Sequence, residues 1–178
     1  MYCINPISEG GEAVLVDGFM VSEKLRQRNS TAYRLLASCP QTYHRVIPDK
    51  GLNHRTMARA LTIDENENLV GFRFHPRALA PTDVGGDLAK QLHSANFALN
   101  ELVLKEENQF SFKISNGDAV FFDNHRVMHS RKAFDDPERH LQIFNLSREV
   151  FHQKVRMTAH ELGFKTESQQ YLPAGVSG

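Results

Sequence analysis

The stretch FSFKISNGDAVFFDNHRVMHSR, residues 110–131, decides the fold, because it holds strong strand signals and two closely spaced histidines. Residues 110–122 are predicted to form two strands around an Asn-Gly turn, since apolar residues flank a dipeptide that tolerates positive φ. His125 and His129 follow at the point where the second predicted strand ends. The question that this arrangement raises is whether either histidine binds a metal ion.

Two conformations of this segment give opposite answers. In a helix, His125 and His129 would share one face and could chelate zinc, as in H-E-x-x-H, but Arg126 stands where that motif has its glutamate. In an extended chain, positions four apart are separated by ~13 Å, so one metal ion cannot take both and at most one is a ligand. From the residues alone, the favoured interpretation is that both are ordinary polar residues of a strand and a loop.

Composition excludes several classes of protein. The chain has 178 residues, of which 40% are apolar and 24% charged, and this predicts one folded domain. Its 21 Lys and Arg residues balance 21 Asp and Glu residues, so neither nucleic-acid binding nor a membrane surface is predicted. Cys3 and Cys39 fit no metal spacing and are typical of reduced thiols, although a single bridge between them is also open. With no secretory signal visible, an intracellular protein is predicted, cytoplasmic or mitochondrial.

Periodicity predicts a mixed α/β chain with mainly antiparallel strands and without the regular βαβ alternation of a dinucleotide-binding fold. The predicted helices are 21–38, divided at Asn29-Ser30 with Ser30 as N-cap, then 87–105, then 149–162, with Ser147 as N-cap and Gly163 beyond the C-terminus. The predicted strands are 13–18, 58–63, 69–74, two within 110–122, and 139–146. Most of the segment 44–64 is predicted to be irregular.

Three ordered stretches carry a resemblance to a known family: GGEAVLVDGF (10–19), the stretch 110–131, and RHLQIFNLSRE (139–149). Together they resemble the TauD/TfdA-type Fe(II)- and 2-oxoglutarate-dependent dioxygenases, in particular the carnitine-pathway hydroxylases. The resemblance implies an α+β fold with a double-stranded β-helix (jelly-roll) core and flanking helices, incomplete at the N-terminus. It also implies one partial dioxygenase domain, residues 1–165, followed by a polar tail, residues 166–178.

The resemblance also implies a set of site residues. Members of the family hold Fe(II) with an early His-x-Asp/Glu pair and a late histidine, and a following arginine binds 2-oxoglutarate. On this match His129 takes the place of the late iron ligand and Arg139 that of the 2-oxoglutarate arginine. A neutral imidazole suits Fe(II), and a guanidinium fork suits a carboxylate. Asn124 and His125 are placed toward the substrate, although strand-end turn residues are an equally good interpretation of the DNHR segment.

Without the resemblance, Arg139 is better interpreted as a surface arginine that pairs with Asp135, Asp136 or Glu138 of the neighbouring DDPE segment. The alternatives for Arg139 therefore differ in its partner. One is a carboxylate of this chain, and the other is a carboxylate of a bound molecule.

The sequence departs from the family at the early metal pair, because none of the nine histidines is followed two positions later by Asp or Glu. The simplest explanation is a sequence that carries only the later part of a longer enzyme, which would leave an open sheet edge and exposed apolar surface. The substrate signals also differ. Trp is absent from this chain. His125 stands where the similar enzymes have a tryptophan, Asn145 where they have a cage tyrosine, and His75-Pro76 where they have a pair of asparagines.

The function that the resemblance implies is hydroxylation of a C–H bond, with Fe(II) as cofactor and 2-oxoglutarate and O2 as co-substrates. The implied substrate is a small trimethylammonium compound or a related amino-acid-like molecule, and the relatives suggest a homodimer. One alternative is a catalytically inactive fragment or pseudoenzyme that acts only as a binding protein. Another is a cupin-like zinc or iron protein that uses His125 and His129 together, which the spacing of a strand disfavours.

Overall fold

The computed structural model describes residues 1–6, 10–134 and 139–164, so the predicted tail, 166–178, lies outside the described residues. The helices and strands of this part of the chain are, in order, β1 (Tyr2–Asn5), β2 (Ala13–Asp17), α1 (Gly18–Arg28), α2 (Ser30–Ser38), β3 (Gln41–Ile47), β4 (Leu52–Ala58), β5 (Leu61–Ile63), β6 (Leu69–Phe72), α3 (Gly86–Leu104), β7 (Phe110–Phe112), β8 (Val127–Arg131), β9 (His140–Gln142) and α4 (Arg148–Glu161). The pairings between these strands are antiparallel, as predicted.

The strands form four small sheets, with the orders β7-β2-β8, β1-β9, β3-β4 and β5-β6. The main core forms where α1, α2 and α3 pack together beside β5 and β6. Its fully buried leucines are Leu25, Leu36, Leu61 and Leu99. A smaller apolar cluster of Cys3, Ala13 and Ile114 joins β1 to β2. Burial of these apolar side chains is the main force that holds the described elements together.

The predicted helices are confirmed, because their signals are local. In α3, Leu92, Leu99 and Leu102 are buried, while Leu88 at the start of the helix is 37% exposed. The break between α1 and α2 is also confirmed, but the prediction that Ser30 caps α2 is wrong. Asn29 is the N-cap, because its side chain accepts a hydrogen bond from the Ala32 amide at 3.0 Å and its φ of −150° lies outside the helical region.

The prediction that most of 44–64 is irregular is wrong, whereas the strand predicted at 58–63 is found in shorter form as β5. The segment also contains most of the β3-β4 hairpin, whose turn is closed by Gly51 at φ +62°. Most residues in the outer part of this hairpin are exposed on both faces. A strand that is solvated on both faces needs no alternation of apolar and polar residues, so periodicity gave no signal there.

The prediction of two strands around the Asn-Gly turn at 110–122 is half right. The turn forms, with Gly117 at φ +84° and the Asp118 amide bonded to the Ser115 carbonyl, and β7 precedes it. After the turn, only an isolated bridge joins Ala119 to Tyr2. Strand β2 is already paired with β7 on one side and β8 on the other, so it has no edge left for this segment. Strand β9 is likewise shorter than the predicted 139–146.

Large apolar side chains are exposed in the part of the described chain that follows β7. Phe121 is 85% exposed, Phe144 65% and Leu146 66%, and α4 has no buried residue within its described length. Exposed apolar area of this kind marks a surface that other protein atoms can cover. Both cysteines are free, which decides against a bridge between them. No helix in the described ranges is long and apolar enough to cross a membrane.

Candidate active site

A junction between the end of β2 and the turn before β8 fixes the position of the site. Asp17 caps α1 through the Phe19 amide at 2.9 Å, and both carboxylate oxygens also accept hydrogen bonds from Arg126, at 2.7 and 3.2 Å. The guanidinium holds the pKa of Asp17 below its usual range. The Gly18 amide donates to the Arg126 carbonyl at 2.8 Å, and a Cβ on Gly18 would lie 2.4 Å from the Phe72 ring. The junction therefore holds β8 in register against β2.

The turn before β8 is organised by Asp123. Its carbonyl accepts hydrogen bonds from the amides of Arg126 and Val127, at 3.0 and 2.8 Å. Its carboxylate accepts from the His125 amide at 2.9 Å and forms an ion pair with Arg148 of α4 at 3.2 Å. Asp123 and Arg126 thus make contacts that build the turn, and the segment is a turn followed by a strand rather than a helix.

His129 lies on β8, opposite Leu15 of β2, and its ring packs against Phe122 with 4.8 Å between ring centroids. Burial lowers the pKa of His129, and the positive charges of His75 and the N-terminus lower it further. Both effects favour the neutral imidazole, which is the form that binds a metal ion.

His129 and Arg139 line the same cavity of about 360 Å³. Pairing of β1 with β9 places Arg139, because it directly precedes His140, the partner of Asn5. The Nη1 atom of Arg139 is buried and has no hydrogen-bond partner among the residues that the structure describes. A buried donor of this kind is costly unless an acceptor reaches it. The acids that sequence reasoning offered as partners, 135–138, lie outside the described residues.

The other predicted site residues do not line this cavity. Asn124 is exposed in the turn, and His125 is half-buried there, with its carbonyl accepting a hydrogen bond from the Phe72 amide at 2.7 Å. Asn145, where relatives have a cage tyrosine, is exposed after β9. The structure therefore brings His129 and Arg139 together and leaves Asn124 and His125 on the turn that precedes β8.

The described residues do not make a complete iron site. Within them, no group of three or more His, Cys, Asp or Glu side chains is arranged to hold a metal ion. His129 is the one predicted ligand on the cavity wall, and a single imidazole does not select or hold Fe(II) tightly. A three-ligand site therefore requires two ligands from polypeptide that these ranges do not include.

Sequence reasoning missed several residues of the cavity wall. Arg131, His140 and Ile143 line it together with His129 and Arg139. Arg131 could have been predicted from the sequence, because it is two positions from His129 on β8 and side chains at that spacing share one face of a strand. The residues that β9 contributes could not, because their position depends on pairing with the distant strand β1.

The comparison with families settles the class of protein. The sequence profile of the "Taurine catabolism dioxygenase TauD, TfdA family" matches residues 1–143, and the chain belongs to this family. The resemblance inferred from the three motifs is thereby confirmed, and so is the family's dependence on Fe(II) and 2-oxoglutarate.

Among curated proteins, human gamma-butyrobetaine dioxygenase is 27% identical over 152 residues, which are 80% of this chain and 38% of that protein. Human mitochondrial trimethyllysine dioxygenase is 30% identical over 139 residues, which are 75% of this chain and 32% of that protein. The chain thus spans less than two fifths of the length of either relative.

Solved structures share the fold. A taurine dioxygenase from Burkholderia xenovorans matches with a TM-score of 0.59 at 16% identity, over 74% of this chain and 44% of that one. AAD-2 in complex with Mn(II) and N-oxalylglycine matches with a TM-score of 0.59 at 13% identity, over 78% of this chain and 57% of that one. The helices and antiparallel sheets described above are therefore those of a TauD-type dioxygenase fold.

Proposed function

We propose that this chain supplies part of the active site of an Fe(II)- and 2-oxoglutarate-dependent hydroxylase of the carnitine-biosynthesis type. The observation that supports the proposal most is that His129 of β8 and Arg139, which directly precedes β9, line one cavity, and that a guanidinium nitrogen of Arg139 is buried without a hydrogen-bond partner among the described residues. In this proposal the β7-β2-β8 sheet and the β1-β9 pair are parts of a jelly roll, and the 1–165 domain is a partial one.

In this proposal each residue has a defined role. His129 would bind Fe(II) through its neutral imidazole, and Arg139 would bind the carboxylate of 2-oxoglutarate that is remote from the metal, through charge-assisted hydrogen bonds. Bound iron would supply the activation of O2 that hydroxylation of a C–H bond needs. The described residues provide one iron ligand, so the proposal requires the other two from elsewhere.

The proposed substrate is a small trimethylammonium compound or a related amino-acid-like molecule. The names of the relatives, gamma-butyrobetaine dioxygenase and trimethyllysine dioxygenase, support this choice. Cation–π attraction is the usual way in which proteins bind a quaternary ammonium group, and this chain has no tryptophan to offer. Roles for Asn124 and His125 in substrate binding, a homodimer, and a mitochondrial or cytoplasmic location stay predictions.

The test of the proposal is succinate release from 2-oxoglutarate by the purified protein with Fe(II), ascorbate and O2, together with Mn(II) binding followed by electron paramagnetic resonance. In a complete version of the enzyme that supplies the other two ligands, His129→Ala should abolish both signals, while His93→Ala, an exposed histidine on α3, is the matched control. His125→Ala should keep Mn(II) binding. Equal loss of Mn(II) from His125→Ala and His129→Ala would contradict the assignment of the ligand.

A catalytically inactive binding protein is the second candidate, and it is favoured because no group of three candidate metal ligands is found among the described residues. It predicts that 2-oxoglutarate binds and that no succinate is released with any metal. Succinate release that His129→Ala removes would exclude this candidate.

A further inference from the structure

Two guanidinium groups lie over one aromatic ring at the cavity. The Cζ atom of Arg131 is 4.2 Å from the centroid of the Phe134 ring, and the Cζ atom of Arg139 is 5.0 Å from the same centroid. Both arginines line the cavity of His129. Phe134 is half-buried and follows β8 by three residues. One ring therefore contacts two cations, one from the end of β8 and one from the residue that directly precedes β9.

The two positive charges are close enough to act on one ligand. Since both distances are measured to the same centroid, the guanidinium carbons lie no more than about 9.2 Å apart. This separation is comparable to the screening length of about 8 to 10 Å at physiological salt. Among the described residues, no salt bridge involves either arginine.

Two like charges in this position repel each other, and the ring offsets part of that cost. The face of an aromatic ring carries negative potential and attracts each guanidinium, more strongly where water is partly excluded. The ring also limits the rotamers of both long side chains, so less freedom is lost when a carboxylate binds. An aliphatic side chain of similar size would fill the space without either effect.

We infer that Phe134 is a positioning residue whose ring holds the guanidiniums of Arg131 and Arg139 on the cavity wall, so that both act on one dicarboxylate ligand. This inference rests on the proposed function in assigning 2-oxoglutarate to the cavity. It goes beyond that function by giving Arg131 a part in anion binding and Phe134 a part in arranging the two cations.

The test compares Phe134→Leu, which removes the ring, with Phe134→Tyr, which keeps it. The purified protein and each variant are titrated with 2-oxoglutarate and followed by NMR of the arginine side-chain Nε–Hε groups. Phe134→Leu should weaken 2-oxoglutarate binding about five-fold, while Phe134→Tyr should stay within about two-fold of wild type. The Hε signals of Arg131 and Arg139 should lose their ring-current shift in Phe134→Leu and keep it in Phe134→Tyr.

Phe97→Leu is the matched control, because Phe97 is 58% exposed on α3 and does not line the cavity. Urea unfolding shows whether each variant folds. If Phe134→Leu does not fold, Phe134→Tyr can still be compared with wild type. Equal 2-oxoglutarate affinity of Phe134→Leu and wild type would overturn the inference, and so would arginine signals that do not move.

The failure of the proposed function has a different signature. If wild type does not bind 2-oxoglutarate at all, the proposed function fails, and the assignment of this ligand fails with it. The ring-current shifts then decide separately about the arrangement of Phe134 and the two arginines, because they are measured in the free protein.

Discussion

Replacing Asp17 and Arg126 tests whether the DNHR segment is a structural junction. Asp17 caps α1 and accepts two hydrogen bonds from Arg126, whereas Arg126 has this ion pair and a contact of 5.2 Å with the Phe19 ring. Loss of an N-cap costs about 1 kcal/mol, and a partly exposed bidentate ion pair contributes about 0.5 to 1 kcal/mol. Asp17→Ala should therefore lower the free energy of unfolding by about 2 kcal/mol, and Arg126→Ala by about 1 kcal/mol.

Urea unfolding followed by circular dichroism measures these changes, and the double variant gives the coupling energy of the pair. We expect a coupling of about 0.5 to 1 kcal/mol, since solvent reaches both side chains and screens them. The stabilisation that the Asp17 carboxylate provides should be present above the unfolded-state pKa of Asp, about 4, and should be lost as the pH falls through the lowered pKa of folded Asp17. Unchanged stability of Arg126→Ala with complete loss of 2-oxoglutarate binding would refute the structural interpretation.

Three further predictions concern packing, capping and pH. Gly18→Ala should destabilise the protein by about 1 to 3 kcal/mol in urea unfolding, because its Cβ would meet the Phe72 ring, whereas Gly85→Ala, with open space, should change it little. Asn29→Ala should cost about 1 kcal/mol and Ser30→Ala less, measured in the same way. The free energy of unfolding should fall as the pH drops below about 6.5, because the unfolded chain binds a proton more tightly than folded His129, and His129→Gln should flatten that slope. Each prediction would be contradicted by its own result: an unchanged pH slope in His129→Gln, or an unchanged free energy of unfolding in Gly18→Ala or in Asn29→Ala.

The elements that the sequence predicted well are those with local causes. The apolar face of α3, the Asn-Gly turn and the Ser147 cap of α4 each depend on residues a few positions apart. The choice of Ser30 over Asn29 as a cap failed because both residues have capping side chains, and only the backbone decides which of them lies outside the helix.

The pairing of strands could not be predicted in the same way. The apolar run at 119–122 has the composition of a strand, yet β2 is fully paired and the run gains only one bridge, between Tyr2 and Ala119. The hairpin of β3 and β4 went unrecognised for the opposite reason, since much of it is exposed and lacks an apolar face. Both errors arise because pairing depends on distant partners.

The candidate site likewise has some features that the sequence indicated and others that depend on strand pairing. The motif around His129 and the position of Arg139 indicated a pair of functional residues through their likeness to the TauD/TfdA family. Their presence on one cavity, and the ring of Phe134 beneath Arg139, depend on the register of β1 with β9 and of β2 with β8. No periodicity within a single segment carries that information.

The measurement that tests the central claim most directly is a calorimetric titration of the protein with 2-oxoglutarate, for wild type and for Arg139→Gln. Hydrogen bonds to a charged group contribute about 1.5 to 3 kcal/mol, so Arg139→Gln should weaken binding at least about ten-fold. Arg77→Gln, which alters an exposed arginine outside the cavity, should bind like wild type. Binding by Arg139→Gln with the affinity of wild type would contradict the claim that this cavity is the 2-oxoglutarate site.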